Sequence, residues 1–170
     1  MFFLHERERT ITLHPSFFGQ HIKDYLSTRL LEDVEGTCEG FYYNICVLDI
    51  VDISEGRVLP STALAEFIVR YRCVVWRPFK GETADGVVTS VNHLGIFARV
   101  GPLSVFTSNH MMPSDIKWDA NATPPQYTDH DTQIIEKGTN IRLKIVGMRV
   151  DGGSIFAIGS IKEDYLGPLP

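Results

Sequence analysis

The stretch from Gly81 to Gly101 constrains the fold of this chain more than any other part of the sequence. It opens on a glycine and contains two strand patterns, a Val-rich one over Gly86–Val91 and a second over Ile96–Val100. Gly95 stands directly before the second pattern. Two short apolar runs separated by turn residues predict the first two strands of a small barrel.

Strand patterns fill the rest of the C-terminal half as well. Three more follow, at Leu103–Thr107, Thr139–Met148 and Ser154–Ile161. The segment Pro113–Lys137 is polar and rich in turn residues, and we expect it to form an excursion between the third and fourth barrel strands. Five strands in this order predict an OB barrel, a fold that binds single-stranded nucleic acid on one face.

The N-terminal half predicts a different architecture, one amphipathic helix on a small antiparallel sheet. The helix is expected between His14 and Gly36, with Pro15 near its start. Its expected apolar stripe is Phe18, Ile22, Tyr25, Leu26, Leu30 and Val34. The strand patterns around it are Arg9–Leu13, Gly36–Phe41, Asn44–Ile53 and Ala65–Phe79. In the last of these, alternate residues from Phe67 to Val75 are apolar, which predicts one buried face.

A domain boundary is expected near Arg77–Gly81, because Pro78 cannot donate to a β-ladder and ends the preceding strand. We therefore expect an α+β domain over residues 1–80 and an all-β barrel over residues 81–170. No apolar run approaches the length of a membrane-spanning helix, and the first ten residues are too charged for a signal peptide. We expect no membrane partner.

The charge of the chain limits how it can hold nucleic acid. The formal net charge is -5, and neither half is basic, since residues 1–80 carry nine Lys and Arg against eleven Asp and Glu, and residues 81–170 carry seven against ten. Any RNA contact must therefore rely on a local patch of cations and on base stacking, and we expect it to be weak.

Motifs for catalysis are missing from the sequence. The six histidines form no HExxH pattern, and the chain has no GxSxG motif and no Walker-type loop. The three cysteines form no CxxC pair, and their odd number argues against a disulfide framework. We expect no catalytic residue, no metal ion and no cofactor.

Six motifs, spread in order over nearly the whole chain, carry a resemblance to a known family. They are LHPSFFG (Leu13–Gly19), LLEDVEGTC (Leu31–Cys38), FIVRYRCVVWRPFKGE (Phe67–Glu82), DGVVTSVNHLGIFARVGPLSVF (Asp85–Phe106), IEKGTNIRLKIVG (Ile135–Gly147) and IFAIGSIKEDYLG (Ile155–Gly167). With these motifs the chain resembles the larger stalk subunits of RNA polymerases, which are the seventh subunit of eukaryotic RNA polymerase II and its archaeal counterpart.

The resemblance implies a non-catalytic subunit with two domains. Residues 1–80 would form a tip domain similar to a truncated RNP fold, and residues 81–170 an OB barrel of the S-one type. The subunit would pair with the smaller stalk subunit. It would dock through its tip on the polymerase core, near the clamp of the largest subunit and the sixth subunit. The barrel would contact emerging single-stranded RNA in the nucleus.

The family comparison also indicates which barrel residues contact RNA. S-one barrels stack bases on two aromatics of the second strand, and at the matching positions, Leu94 and Phe97, only Phe97 is aromatic. The histidine common in their third strand falls near Thr107. We expect Phe106 and Phe156 in the barrel core or at a partner interface. The expected RNA-binding residues are His93, Phe97, Arg99, Arg142, Lys144 and Arg149. The alternative is that these residues are ordinary solvated side chains of the outer face.

Docking on the polymerase is expected at two loops of the tip domain. The expected docking residues are His14, Pro15, Gly56, Val58, Leu59 and Pro60. Gly56 would supply backbone freedom, and the apolar residues after it would supply contact area. Family members often carry extra glycines where this chain has Ser61–Leu64. The alternatives are a loop folded back on its own domain and, for the whole chain, a free-standing RNA-binding accessory protein.

Overall fold

The computed structural model describes residues 1–129 and 133–170 of the chain. The chain divides into two compact units, Met1–Arg77 and Pro78–Pro170. Among the described residues, no helix combines the length and the apolar character needed to span a bilayer.

The N-terminal unit is a helix on an antiparallel sheet, so the α+β prediction is confirmed. Its elements are β1 (Phe2–Leu13), α1 (Ile22–Val34), β2 (Cys38–Glu39), β3 (Tyr42–Ile53), β4 (Arg57–Val58) and β5 (Ala65–Trp76). The strand order is β1-β5-β3-β2, and all pairs are antiparallel. β4 pairs with the first residues of β5, on the edge that β3 leaves free.

The core of this unit lies between α1 and one face of the sheet. Leu26, Leu30 and Val34 of the helix are buried there. The sheet contributes every alternate residue from Phe67 to Val75, as the period-two pattern of β5 predicts. β5 ends at Trp76, two residues before Pro78, which lacks an amide hydrogen for the ladder.

The helix starts later than predicted. Pro15–Phe17 forms a separate 3-10 turn, and α1 begins only at Ile22, because the chain at Phe18 is extended and Gly19 has a positive φ of 156°. Phe18 therefore lies outside the helix and is exposed. Tyr25 is on α1 but is also exposed, so both were wrongly placed in the buried stripe.

β1 is longer than the predicted Arg9–Leu13 and includes the charged residues before Arg9. Glu6 and Glu8 lie opposite Arg72 and Arg70 of β5 in the ladder. Arg70 donates two hydrogen bonds to Glu8, at 3.1 and 2.8 Å. Cross-strand ion pairs of this kind let a strand rich in charge lie on the solvated face of a sheet.

The C-terminal unit is a nearly closed five-stranded barrel, as predicted. The unit also contains short strands outside the barrel. Its described strands are β6 (Thr83–Asn92), β7 (Gly95–Val100), β8 (Leu103–Ser108), β9 (Lys117–Asp119), β10 (Gln126–Thr128), β11 (Ile134–Ile135), β12 (Asn140–Asp151), β13 (Ser154–Ser160) and β14 (Gly167–Pro168). The ring runs β12-β6-β7-β8-β13 and returns to β12. Within the ring only the β8–β13 pair is parallel, and β14 extends the sheet at β12.

The excursion between the third and fourth barrel strands has structure of its own. β9, β10 and β11 form a small antiparallel sheet within it. Residues 130–132 of the predicted excursion, including His130, lie outside the described residues. The side chain of Tyr127 is buried, and its hydroxyl donates a hydrogen bond of 2.9 Å to the Asn92 carbonyl, which ties the excursion to the barrel.

Candidate functional site

Two aromatic side chains lie together on the outer face of the barrel. Phe97 of β7 and Phe106 of β8 are directly opposite in the ladder, and their ring centroids are 4.8 Å apart. Because side chains alternate along a strand, both point outwards while Ile96 and Ala98 fill the barrel interior. The barrel thus presents a pair of tilted rings where the sequence predicted a single aromatic.

The position of Phe106 follows from the register of β8. Thr107, which we aligned with the family's third-strand histidine, is fully buried inside the barrel. A shift of one residue along a strand moves a side chain to the opposite face, so Phe106 is the outward residue. The prediction that Phe106 lies in the barrel core is therefore wrong. The alternative, that Phe106 lies at a partner interface, stays a prediction.

Phe156 is not in the barrel core either. It lies on β13 with Ile158, and these two side chains are 48% and 51% exposed. Together with the two rings and part of β12, they line an apolar groove of about 420 Å³. Its lining residues are Phe97, Ser104, Phe106, Gly147, Met148, Arg149, Phe156, Ala157 and Ile158. The period-two pattern of IFAIGS, with buried Ile155 and Ala157, was the sequence signal for this face.

Two of the predicted cations flank this groove. Arg99 and Arg149 are exposed on β7 and β12. Arg99 has no ion pair with any described residue. Arg149 approaches Asp151 at 3.7 Å, but both side chains are largely solvated, so this contact is weak. Phe97, Arg99 and Arg149 are thus brought together at one face.

Arg142 and Lys144 lie at the other end of β12 and are engaged in ion pairs. Arg142 donates hydrogen bonds of 2.6 and 2.8 Å to the Asp85 carboxylate, which hold the pKa of Asp85 below its ordinary value. Lys144 donates to both carboxylate oxygens of Glu163, at 2.8 and 2.9 Å. The nearby carboxylates neutralise part of the attraction that either cation would have for a phosphate. His93, the remaining predicted contact, lies in the turn between β6 and β7.

The predicted docking residues lie at one end of the N-terminal sheet. Leu13, Ala65 and Val58 are neighbours across β1, β5 and β4 in the ladder. The segments that follow β1 and β4 therefore begin at the same end, and these are the two segments with the docking residues. His14 accepts a hydrogen bond of 3.2 Å from the Ser16 amide at Nδ1, which caps the 3-10 turn that begins at Pro15.

The loop from Leu59 to Leu64 is a tight turn with left-handed backbone. The Leu59 amide donates to the Leu64 carbonyl at 2.8 Å. Ser61 and Ala63 have φ angles of 71° and 56°, a region that glycine adopts at lower cost. The loop therefore has a left-handed backbone at Ser61 and Ala63, a conformation that glycine favours. Val58, just before the turn, is 64% exposed.

Gly56 acts differently from what the sequence suggested. Its φ lies outside the left-handed region, so backbone freedom is not the reason for a glycine there. A Cβ atom at Gly56 would lie 2.7 Å from Cζ of the Phe67 ring. The residue is small because the chain passes over Phe67, which belongs to the core of the unit.

One charged cluster was not anticipated from the sequence. Arg7 forms an ion pair with Glu39 and lies 5.1 Å from the centre of the Tyr42 ring, and Tyr42 donates to Glu39 at 3.2 Å. Burial raises the pKa of Glu39, but the hydrogen bond and charge of Arg7 outweigh it, so that pKa lies below its ordinary value. The cluster links β1 to the β2–β3 hairpin and is structural.

Among the described residues, no group of three or more His, Cys, Asp and Glu side chains is arranged to hold a metal ion. The groove on the barrel is lined by apolar and aromatic side chains with few polar groups. Its chemistry suits the stacking of planar rings.

Comparisons with known proteins agree with this architecture. Residues 8–63 match the family model described as "SHS2 domain found in N terminus of Rpb7p/Rpc25p/MJ0397". Residues 77–159 match the S1 RNA binding domain. The first match spans most of the α+β unit and ends before β5, and the second spans most of the barrel unit.

Full-length relatives identify the family. The chain is 58% identical over 171 residues to DNA-directed RNA polymerase II subunit rpb7 of Schizosaccharomyces pombe, with 99% of each chain covered. It is 51% identical to the RPB7 subunit of Saccharomyces cerevisiae, covering 99% of this chain and 100% of that protein. It is 44% identical to RPB7 of Glycine max, covering 99% of this chain and 97% of that protein. The chain therefore belongs to the Rpb7 family of RNA polymerase II subunits, with an S1 RNA-binding domain.

Proposed function

We propose that this chain is a non-catalytic stalk subunit of RNA polymerase II that contacts emerging RNA in the nucleus. In this proposal it pairs with the smaller stalk subunit and docks on the polymerase core near the clamp of the largest subunit and the sixth subunit. The observation that carries the RNA contact is the aromatic pair Phe97 and Phe106, 4.8 Å apart on the outer face of an S1 barrel.

Stacking rather than charge supports this RNA contact. A base that stacks on an aromatic side chain gains about 1–3 kcal/mol, regardless of its identity. The chain as a whole carries a net charge of -5, which disfavours binding to a polyanion. We therefore expect RNA binding that is weak and tolerant of sequence, strengthened where the polymerase holds the transcript close to the barrel.

The substitution Phe97→Ala tests this contact. We expect it to weaken binding of a single-stranded oligoribonucleotide by about 5- to 150-fold, measured by fluorescence anisotropy. The matched control is Phe41→Ala, which removes a similarly exposed phenylalanine from the N-terminal unit. Equal affinities for both variants and the unsubstituted chain would mean that RNA does not contact the barrel at Phe97.

Apolar surface supports the proposal that the N-terminal unit associates with other subunits. A monomer seldom leaves a large contiguous apolar patch exposed unless the patch serves an interface. Exposed large apolar side chains of this unit include Met1, Phe2, Leu4, Leu48, Val51, Val58 and Ile68. Val58 lies beside the docking loops, and the others supply surface for the smaller stalk subunit.

Assembly is tested by co-expression with the smaller stalk subunit, followed by size exclusion with light scattering. We expect a one-to-one complex, and Val58→Asp should form it normally but fail to bind polymerase core lacking the stalk. The control is Ile134→Asp, a similarly exposed aliphatic position in the barrel unit, which should bind the core. A soluble chain that ignores the smaller subunit would instead indicate a free-standing RNA-binding protein.

A further inference from the structure

The outer face of the barrel contains an ordered row of four residues with a cation at each end. Arg99 of β7 lies opposite Ser104 of β8, Ser104 opposite Phe156 of β13, and Phe156 opposite Arg149 of β12. All four residues are exposed. The row therefore crosses four strands, with a small polar residue and an aromatic ring between two arginines.

A second row runs parallel to the first and is apolar. Phe97, Phe106 and Ile158 follow one another in the same ladder, and the row ends at Gly147. The two rows are two residues apart along each strand, about 7 Å. Gly147 lines the groove, and no atom lies within 4 Å of the position that a Cβ would take there. The absence of a side chain at Gly147 therefore leaves this end of the groove open.

The spacing of the two arginines suits a polyanion that passes over the groove. Three strand-to-strand steps separate Arg99 from Arg149, about 14 Å along the sheet. Phosphates at the two ends would leave the nucleotides between them above Phe156 and the apolar row. Arg149 can exchange its weak contact with Asp151 for a phosphate at small cost, because that pair is solvated.

We propose that single-stranded RNA crosses the barrel strands along this row, with phosphates on Arg99 and Arg149 and a base stacked on Phe156. The inference rests on the proposed RNA contact and deepens it in two ways. It gives the path of the RNA across the barrel, and it makes Phe156 of β13 a base-contacting residue. Arg142 and Lys144, which are held by Asp85 and Glu163, take no part.

The salt dependence of RNA binding tests the two phosphate contacts. The full chain is titrated against a fluorescein-labelled oligouridylate of about 12 nucleotides, within the usual site size of an OB fold, at several salt concentrations. Each phosphate contact to single-stranded RNA contributes about 0.7 to the slope of log K against log salt. We expect Arg99→Ala and Arg149→Ala each to reduce the slope by about 0.7, and Arg142→Ala to leave it unchanged.

The stacking contact has a different signature. We expect Phe156→Ala to weaken binding by about 5- to 150-fold at every salt concentration, without a change of slope. Phe156→Tyr keeps a planar ring and should bind within about twofold of the unsubstituted chain. All substituted side chains are exposed or partly exposed, and thermal unfolding of each variant checks that the barrel remains intact.

The outcomes separate this inference from the function on which it rests. If the unsubstituted chain binds no RNA, the RNA role fails and the inference with it. If Phe97→Ala weakens binding but the Arg99, Arg149 and Phe156 variants do not, the RNA role stands and the proposed path is wrong. A reduced slope for Arg142→Ala would also overturn the proposed path, because the RNA would then run along β12 instead of across the β-strands.

Discussion

At the scale of single residues, Gly95 is held against the backbone of the neighbouring strand β8. Its φ is 155°, and a Cβ atom there would lie 2.1 Å from the Thr107 carbonyl oxygen. Gly95 also pairs with Ser108 in the ladder, so the backbone in contact with it is fixed by hydrogen bonding. Any side chain at this position must displace one barrel strand from the next.

The first prediction is that Gly95→Ala destabilises the barrel by more than about 2 kcal/mol, because it combines backbone strain with a clash against backbone atoms. Gly147→Ala is the matched control, since no atom lies within 4 Å of its Cβ and its φ is outside the left-handed region. Urea unfolding followed by circular dichroism measures both. A Gly95→Ala variant as stable as Gly147→Ala would refute the close approach of β7 and β8.

Glu39 gives a prediction of pH dependence. Burial raises its pKa, but the hydrogen bond and charge of Arg7 together outweigh burial, so the pKa in the folded chain is below the ordinary value. The ionised form thus adds stability above the unfolded-state pKa of about 4.3, and this contribution is lost as the pH falls through the folded-state pKa. Glu39→Gln should cost about 1 kcal/mol at pH 7 and show a smaller loss of stability below pH 4.

Urea unfolding at a series of pH values tests this expectation. The exposed Glu55 provides the control, since Glu55→Gln should reproduce the acid limb of the unsubstituted chain. An acid limb that is equally steep with and without Glu39 would show that other carboxylates govern acid unfolding of the N-terminal unit.

At the scale of elements, β5 and β3 show where sequence pattern succeeds and fails. β5 alternates strictly, and its buried face was predicted residue by residue. In β3 the register skips three residues, Ile45, Leu48 and Val51, each of which is exposed. A bulge adds one residue and shifts the face of all that follow, so a period of two cannot assign the side chains of this strand.

The candidate site was partly predictable for the same reason. Phe97 was found from the aromatic motif of the family, and Arg99 from the alternation of side chains along the strand. The ion pair between Arg142 and Asp85 joins residues 57 positions apart through the β6–β12 ladder, and no local pattern reveals it. Tertiary pairing of strands decided which cations are free, whereas local pattern decided only which residues point outwards.

The buried side of α1 leads to the third prediction. Leu30 is fully buried between helix and sheet, whereas the adjacent Leu31 is 40% exposed. We expect Leu30→Ala to reduce the stability of the N-terminal unit by about 2–5 kcal/mol and Leu31→Ala by less than about 1 kcal/mol. Thermal and urea unfolding compare the two. Similar losses for both variants would mean that α1 is rotated about its axis relative to this description.

At the scale of the whole molecule, RNA affinity is a balance between local attraction and overall repulsion. Arg99 and Arg149 stand at the groove, but each unit carries a net negative charge. Residues 1–77 have eight Lys and Arg against eleven Asp and Glu, and residues 78–170 have eight against ten. The groove lies entirely within the second unit, and so does the ring of strands that supports it.

The last prediction concerns residues 78–170 expressed alone. Because the ring closes within this segment, we expect a cooperative unfolding transition. Its RNA affinity should equal or slightly exceed that of the full chain, since it keeps the groove and loses the more acidic unit. Anisotropy titrations of residues 78–170, of residues 1–77 and of the full chain make the comparison. A loss of more than about tenfold in the isolated barrel, or clear RNA binding by residues 1–77, would move part of the RNA contact to the N-terminal unit.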